Sequence, residues 1–295
     1  MSLSVLDFAA SPTGIEFYRK YDRVLEKWPA DVVGRDLESE FGTTRVNVCG
    51  PAGAPPVLLL PGGGATSTVW FENVGALADR HRVIAVDLMG DSGRSVAGGR
   101  AIRTVDDLLD WLDTVATGAG LEAFSIVAHS YGAMIALAYA LDRPNRVRKL
   151  VLLDPNSCFA GMRPGYLARA VPLLFRPTEK RERDFVRWEI GCREVDESWL
   201  DLTACGAASF PKSKTVVPKR PTRASFAGLR AETTVILAGQ GKVHDSARVA
   251  TAIAAAAPRV RTHVIDDATH HTMPMSPAAE VNRALLDALD APRGV

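Results

Sequence analysis

The chain has 295 residues, 47% of them hydrophobic, with 35 Lys and Arg against 34 Asp and Glu. That much apolar material fills one large core, or a core carrying an insertion, and excludes a chain that is mainly disordered. Charges that nearly cancel exclude a global field drawing the protein to nucleic acid or to an anionic membrane. The first residues, Met1-Ser-Leu-Ser-Val-Leu-Asp-Phe-Ala-Ala-Ser11, lack a basic stretch and a continuous apolar run. No segment reaches the roughly 18 apolar residues of a membrane span. The expectation is a soluble, cytoplasmic protein with no nucleic-acid or membrane partner.

Residues 11–37 mix aromatics and charges with apolar positions at helical spacing, as in Phe17-Tyr-Arg-Lys-Tyr-Asp-Arg-Val-Leu-Glu-Lys-Trp28, and predict an N-terminal helical segment laid on the core. A short strand pattern, Thr44 to Cys49, leads through Gly50-Pro-Ala-Gly-Ala-Pro-Pro56 into Val57-Leu-Leu-Leu60. Such an unbroken apolar run suits a strand covered on both faces, as in a parallel sheet. It ends in Pro61-Gly-Gly-Gly-Ala-Thr-Ser67, where three glycines let backbone amides face a cavity as half of an oxyanion hole. A phosphate cradle is the rival, but neither Gly-x-x-x-x-Gly-Lys-Ser/Thr nor Gly-x-Gly-x-x-Gly can be drawn there. A further buried strand, Arg82 to Asp87, runs into Leu88-Met-Gly-Asp-Ser-Gly-Arg-Ser95, a turn that Asp87 and Asp91 shape, and a helix follows from Thr104 to Val115.

The stretch Phe124-Ser-Ile-Val-Ala-His-Ser-Tyr-Gly-Ala-Met-Ile-Ala-Leu-Ala-Tyr139 then reads as a buried strand turning abruptly into a small-residue helix, with Ser130 at the turn. In a nucleophile elbow, Gly-x-Ser-x-Gly, the positions two before and two after the serine must be almost free of side chain. Here they are Ala128 and Gly132. The competing reading is that Ser130 merely caps the helix. Another strand, Val147 to Leu153, closes at Asp154-Pro155. Strands alternating with helices at this spacing specify right-handed crossovers and an α/β sheet.

From 156 to 229 the alternation stops, and aromatics sit among basic clusters. An insertion of that size over the carboxyl edge of a sheet forms a lid whose apolar residues line a cleft. The alternative is that those aromatics only hold the insertion's own small core. Alternation resumes with Glu232 to Ala238, a helix from Ser246, a strand Val260 to Ile265, the loop Asp266-Asp-Ala-Thr-His-His-Thr-Met-Pro-Met-Ser276 and a closing helix from Pro277 to Leu289. Cys49, Cys158, Cys192 and Cys205 are scattered without a C-x-x-C pair, which argues against a zinc site and predicts reduced, partly buried thiols.

In this arrangement the chain resembles the α/β-hydrolase superfamily over roughly residues 40 to 290. Within it, Phe17-Tyr-Arg-Lys-Tyr-Asp, Phe41-Gly-Thr-Thr-Arg-Val-Asn-Val-Cys-Gly50, the glycine run followed by Thr68-Val-Trp70, and Val86-Asp-Leu-Met-Gly-Asp-Ser-Gly-Arg-Ser95 are similar to small bacterial carboxylesterases that cleave aryl-propionate esters. The resemblance implies the α/β-hydrolase fold: a mostly parallel central sheet flanked by helices, a core of 1–155 and 230–295, and a helical lid, 156–229, inserted after the sixth strand. It implies Ser130 as nucleophile, with the backbone amides of Tyr131 and Gly63 as oxyanion donors and Gly64 as the alternative to Gly63. It implies His270 as general base, with His271 as the rival. Adjacent residues of an extended loop point opposite ways, so only one of the two can serve.

The acid departs from the pattern, because Lys242 occupies the position at which many members carry an aspartate. Asp245, which matches the esterase subgroup with a one-residue gap, is favoured, and Asp154 is the rival. Asp245 could instead cap the helix from Ser246, and Asp154 could only start the turn with Pro155. Trp70 and Trp188 are assigned to the substrate. No metal or organic cofactor is required, and the expected substrate is a hydrophobic small-molecule ester. Two other readings stand beside this one: the same triad used as a lactonase, thioesterase, acyltransferase or cyclising enzyme, and a non-catalytic small-molecule binding protein.

Overall fold

The computed structural model describes residues 4–291, apart from the side chain of Leu174. Its centre is a sheet in the order β1 (Val33–Ser39), β2 (Gly42–Cys49), β4 (Arg82–Val86), β3 (Pro56–Leu60), β6 (Phe124–His129), β7 (Val147–Leu153), β8 (Glu232–Ala238) and β9 (Arg261–Ile265), with a two-residue β5 (Val96–Ala97) beside β2. From β4 through β9 the neighbours are parallel, and β1 and β2 are antiparallel. The apolar runs explain why the central strands lie inside. Leu58, Leu60, Ile126, Ala128, Leu150 and Leu152 face one core, while Val57, Leu59, Val127, Val151 and Leu153 face the other. A strand buried on both sides needs apolar residues at every position, because its side chains alternate between the faces.

Helices α4 (Val105–Gly118), α5 (Ser130–Asp142) and α9 (Ser246–Ala256) pack on the first core. The second core takes α1 (Val5–Ala10), α2 (Pro12–Leu25), α3 (Val74–Ala78) and α10 (Ala278–Asp290). Capping fixes several starts: the Thr104 side chain and Asp107 form a reciprocal capping box on α4, and the Ser11 hydroxyl accepts from Gly14 N–H as Pro12 opens α2.

The N-terminal segment departs from the expected helix over 11–37. Helix α2 ends at Leu25, and residues 33–39 form the edge strand β1. Only Leu37 of that strand is buried, so it has no apolar alternation to reveal it. Between β7 and β8 lie α6 (Pro164–Phe175), α7 (Glu179–Ile190), α8 (Glu197–Ser209) and a short three-ten turn, Arg223–Gly228. An extended strap between α8 and that turn is tied down where Ser213 N–H donates to the Gly90 carbonyl and the Tyr131 hydroxyl donates to the Val216 carbonyl, 2.6 Å away. Cys49, Cys158 and Cys205 are buried free thiols and Cys192 is exposed. Among the described residues no helix is long and apolar enough to cross a membrane.

Candidate active site

Strand β6 stops at His129, and α5 begins at once with Ser130 at φ 53°. A serine in this left-handed region is strained, and the turn holds it there because no intervening residue relaxes the path. A Cβ on Gly132 would sit 2.4 Å from the Pro61 carbonyl oxygen and 2.6 Å from that of Leu60, so this position admits only glycine. Ala128, the other flank, is paired between Leu60 of β3 and Leu152 of β7, and its single methyl is fully buried in the first core.

The Ser130 Oγ lies 2.9 Å from His270 Nε2, and His270 Nδ1 lies 2.6 Å from Asp154 Oδ2. All three residues are buried. The carboxylate accepts at Nδ1, which fixes the tautomer with Nε2 unprotonated and facing the serine. Asp154 follows directly on β7 with φ 41°, and its other oxygen accepts from the Ala238 amide at 3.0 Å and from His244 Nε2 at 2.9 Å. Burial alone would raise the Asp154 pKa. The hydrogen bonds from His244 and His270 outweigh it and hold the carboxyl well below the usual range.

Asp245, the favoured acid, does not approach His270. Its side chain caps α9, accepting from Arg248 N–H at 3.0 Å, with Arg163 3.8 Å away. The chain bends at Lys242–His244 after β8, burying Val243 and His244, so that His244 reaches Asp154 while Asp245 is left exposed as the N-cap of α9. The two adjacent histidines lie in a turn rather than an extended loop, and they diverge: His271 Nε2 meets the Tyr166 hydroxyl at 3.2 Å, while His270 faces the serine.

On the glycine run, the Gly63 and Tyr131 amides donate to no protein acceptor among the described residues, and the two residues are neighbours: a Cβ on Gly63 would lie 3.5 Å from Tyr131 Cβ. The Gly64 amide is already taken, donating to Asp91 Oδ2 at 2.7 Å, and so is not an alternative oxyanion donor. Asp87 and Asp91 do shape the turns here. Asp87 accepts from the amides of Ser67 and Arg94 and from the Tyr21 hydroxyl, which ties α2 to the strand ends.

A cavity of about 790 Å³ opens over Ser130 and His270, walled by Val69, Met134, Met162, Tyr166, Trp199 and Val217. Neither tryptophan assigned to the substrate lines it. Trp70 is fully buried in the second core, because successive residues of its three-ten turn point about 120° apart and Val69 takes the cavity side. Trp188 packs against Tyr166 and Phe185, one layer behind the wall, with the cations of Arg169 and Lys242 over its ring.

Four further residues belong to the site. Asn156 Nδ2 donates to Ser130 Oγ at 3.0 Å. His129 Nε2 lies 2.9 Å from the His270 carbonyl oxygen, and burial, with His270 beside it, holds its pKa well below the ordinary value. The neutral ring therefore donates there. His244 braces Asp154. Glu189, a buried carboxylate of α7, accepts from the amides of Lys242 and His270, each at 3.1 Å, and from that of His271 at 3.2 Å. Burial would raise the Glu189 pKa, but His271, His270 and these amides outweigh it and lower it. His129 and Asn156 were open to suspicion from their places beside Ser130 and Asp154. Nothing in the charged run around Glu189 separates it from a solvated helix face.

A family model described as the alpha/beta hydrolase family matches residues 57–284. Carboxylesterase YbfK of Bacillus subtilis is 30% identical over 186 residues, 63% of this chain and 62% of that protein. A second B. subtilis relative, an uncharacterized carboxylesterase nap, is 32% identical over 50% of this chain and 49% of its own length. The matched region thus spans between half and two thirds of these curated relatives. Among solved structures, naproxen esterase (carboxylesterase NP) from B. subtilis superposes with a TM-score of 0.85 at 23% identity, covering 94% of this chain and 98% of the other. Carboxylesterase CesB (YbfK) gives 0.86 at 23% identity over 96% and 100%. At that identity the superpositions speak for the fold.

Proposed function

The chain belongs to the alpha/beta hydrolase family, and from that premise we propose that it is a serine esterase cleaving hydrophobic carboxylic esters through an acyl-enzyme. One observation carries the reading: the continuous relay from Ser130 Oγ through His270 to the Asp154 carboxylate, opening on a cavity where Val69, Met134, Met162 and Trp199 stand beside the charged Glu182, Lys212 and Arg220. Ser130 is the nucleophile, His270 the general base and Asp154 the acid, and the helices between β7 and β8 act as the lid. The carboxylesterase relatives, with their shared fold, support the substrate class.

Each step follows from the contacts. Ser130 Oγ attacks the acyl carbon and its proton passes to His270 Nε2, while Asp154 stabilises the imidazolium through Nδ1–H. The carbonyl oxygen, now an oxyanion, is received by the Gly63 and Tyr131 amides, on the order of 3 kcal/mol per donor. Collapse expels the alcohol, protonated from Nε2. Water then attacks the ester of Ser130, giving its proton to His270, and the acid product leaves as the serine recovers its hydrogen. Asn156 donates to the resting Oγ and orients it. Glu189 and His129 hold the loop carrying His270 at its amide and its carbonyl.

The test is stoichiometric labelling with a fluorophosphonate, adduct mapping by mass spectrometry, and p-nitrophenyl butyrate turnover for wild type and Ser130→Ala. Labelling at Ser130 with turnover lost in the variant is the expected result. Absence of both overturns the esterase reading in favour of a binding protein.

A further inference from the structure

Helix α7 carries four acidic residues, and three of them have partners. Glu179 lies 3.6 Å from Arg183, Asp184 lies 2.6 Å from Lys180, and Glu189 accepts from three amides of the histidine loop and its neighbour. The fourth, Glu182, is half-buried and lines the cavity over Ser130, where its carboxylate meets no hydrogen-bond or ion-pair partner among the described residues. Glu182 shares its helix face with Phe185, Val186 and Glu189, at i+3, i+4 and i+7. The ion pair of Arg183 with Asp201, at 2.6 Å, holds that face toward α8, whose Thr203 lines the same cavity.

Burial pushes the Glu182 pKa up, and the charge of Lys212 offsets only part of that. Lys212 is engaged elsewhere: its Nζ lies 3.4 Å from Asp91. Arg220, the other cation of the cavity wall, donates its Nε to the Ser157 carbonyl at 2.9 Å. A carboxylate taken out of water without a partner costs free energy, and a cation delivered by a ligand removes that cost. Glu182 stands seven residues from Glu189, or about 10 Å along the helix axis, and Glu189 is where α7 grips the His270 loop.

We propose that Glu182 is a specificity-determining residue that receives a protonated amine at the end of the substrate remote from the reacting ester. Taken with the esterase reading, on which this part rests, the substrate class narrows to esters with an apolar chain that ends in a basic nitrogen. The chain lies along Val69, Met134 and Trp199, and the nitrogen replaces the water lost by the carboxylate.

The experiment uses the full chain carrying Ser130→Ala, so that binding is read by calorimetry without turnover. Two pairs of esters of matched shape are compared: ethyl 6-aminohexanoate with ethyl heptanoate, and 6-aminohexyl butyrate with heptyl butyrate. In at least one pair the amine is expected to bind tighter on the order of 10-fold, and adding Glu182→Gln should abolish or reverse that preference. The reading is the ratio within a pair, since a general loss of structure weakens both members together. Tighter binding of the neutral ester in both pairs, or a preference for the amine that survives Glu182→Gln, overturns the proposal. So does a preference absent from the Ser130→Ala protein that emerges on adding Lys212→Met; that result makes Lys212 the partner of Glu182. Failure of the esterase reading is separate, seen as a preference for the amine in binding while the Ser130-containing protein turns over neither ester of the pair.

Discussion

Replacing Asp154 by Asn is expected to lower kcat for p-nitrophenyl butyrate by about 10⁴-fold, on the order of 5 kcal/mol. The carboxylate receives donors on both oxygens: the Ala238 amide and His244 Nε2 on Oδ1, and His270 Nδ1 on Oδ2. A carboxamide has one oxygen. With two donors fixed at the Oδ1 position, that oxygen stays there and the NH2 group faces His270 Nδ1. The imidazole must then accept at Nδ1 and carry its proton on Nε2, the atom that has to take the proton of Ser130. The loss therefore combines the charged hydrogen bond, worth about 1.5–3 kcal/mol, with the wrong tautomer. Asp245→Asn is the matched control. Asn caps a helix as well as Asp does, so kcat should stay within about twofold of wild type. Initial rates are read for both variants beside thermal melts and fluorophosphonate labelling. An Asp154→Asn enzyme keeping more than about a tenth of wild-type kcat, or an equal loss in Asp245→Asn, refutes the assignment of the acid.

Glu189→Gln leaves one oxygen for three amides, and the NH2 end faces the His271 N–H; kcat should fall about 10-fold with KM near wild type, whereas a change in KM alone contradicts a role in holding His270. Gly132→Ala drives a methyl into the carbonyls of Leu60 and Pro61. A loss of about 3 kcal/mol or more in urea unfolding is expected, and a near-neutral result would falsify the steric account of the elbow. Burial pulls His271 down to about 4, with Glu189 opposing. Because its pKa is depressed in the folded chain, its contribution is complete above the unfolded value of about 6.5 and erodes as pH falls toward 4, up to roughly 3 kcal/mol. Denaturation curves at pH 7.5, 5.5 and 4.5 (about one unit apart or more) should show that slope, and His271→Gln should flatten it.

The order of elements, the doubly covered strands and the elbow were legible in the residues, because each is a local or periodic property. Unbroken apolar runs such as Val57–Leu60, bounded by Gly and Pro, suit a strand buried on both faces, and the pairing of Ser130 with Gly132 states a steric demand within a few bonds. The edge strand β1 escaped because its exposed faces impose no pattern. What the tertiary structure decided is which side chains meet across long separations. Asp154 and Asp245 both end a segment near the carboxyl edge of the sheet, and only the path of the loop after β8, which turns His244 inward, brings Asp154 to His270. Glu189 reaches the same loop from 81 residues away, and Trp70 faces a core instead of the cavity because of how its short helix lies. Composition and spacing specify what a segment is; the direction in which each side chain points depends on the packing of all the segments together.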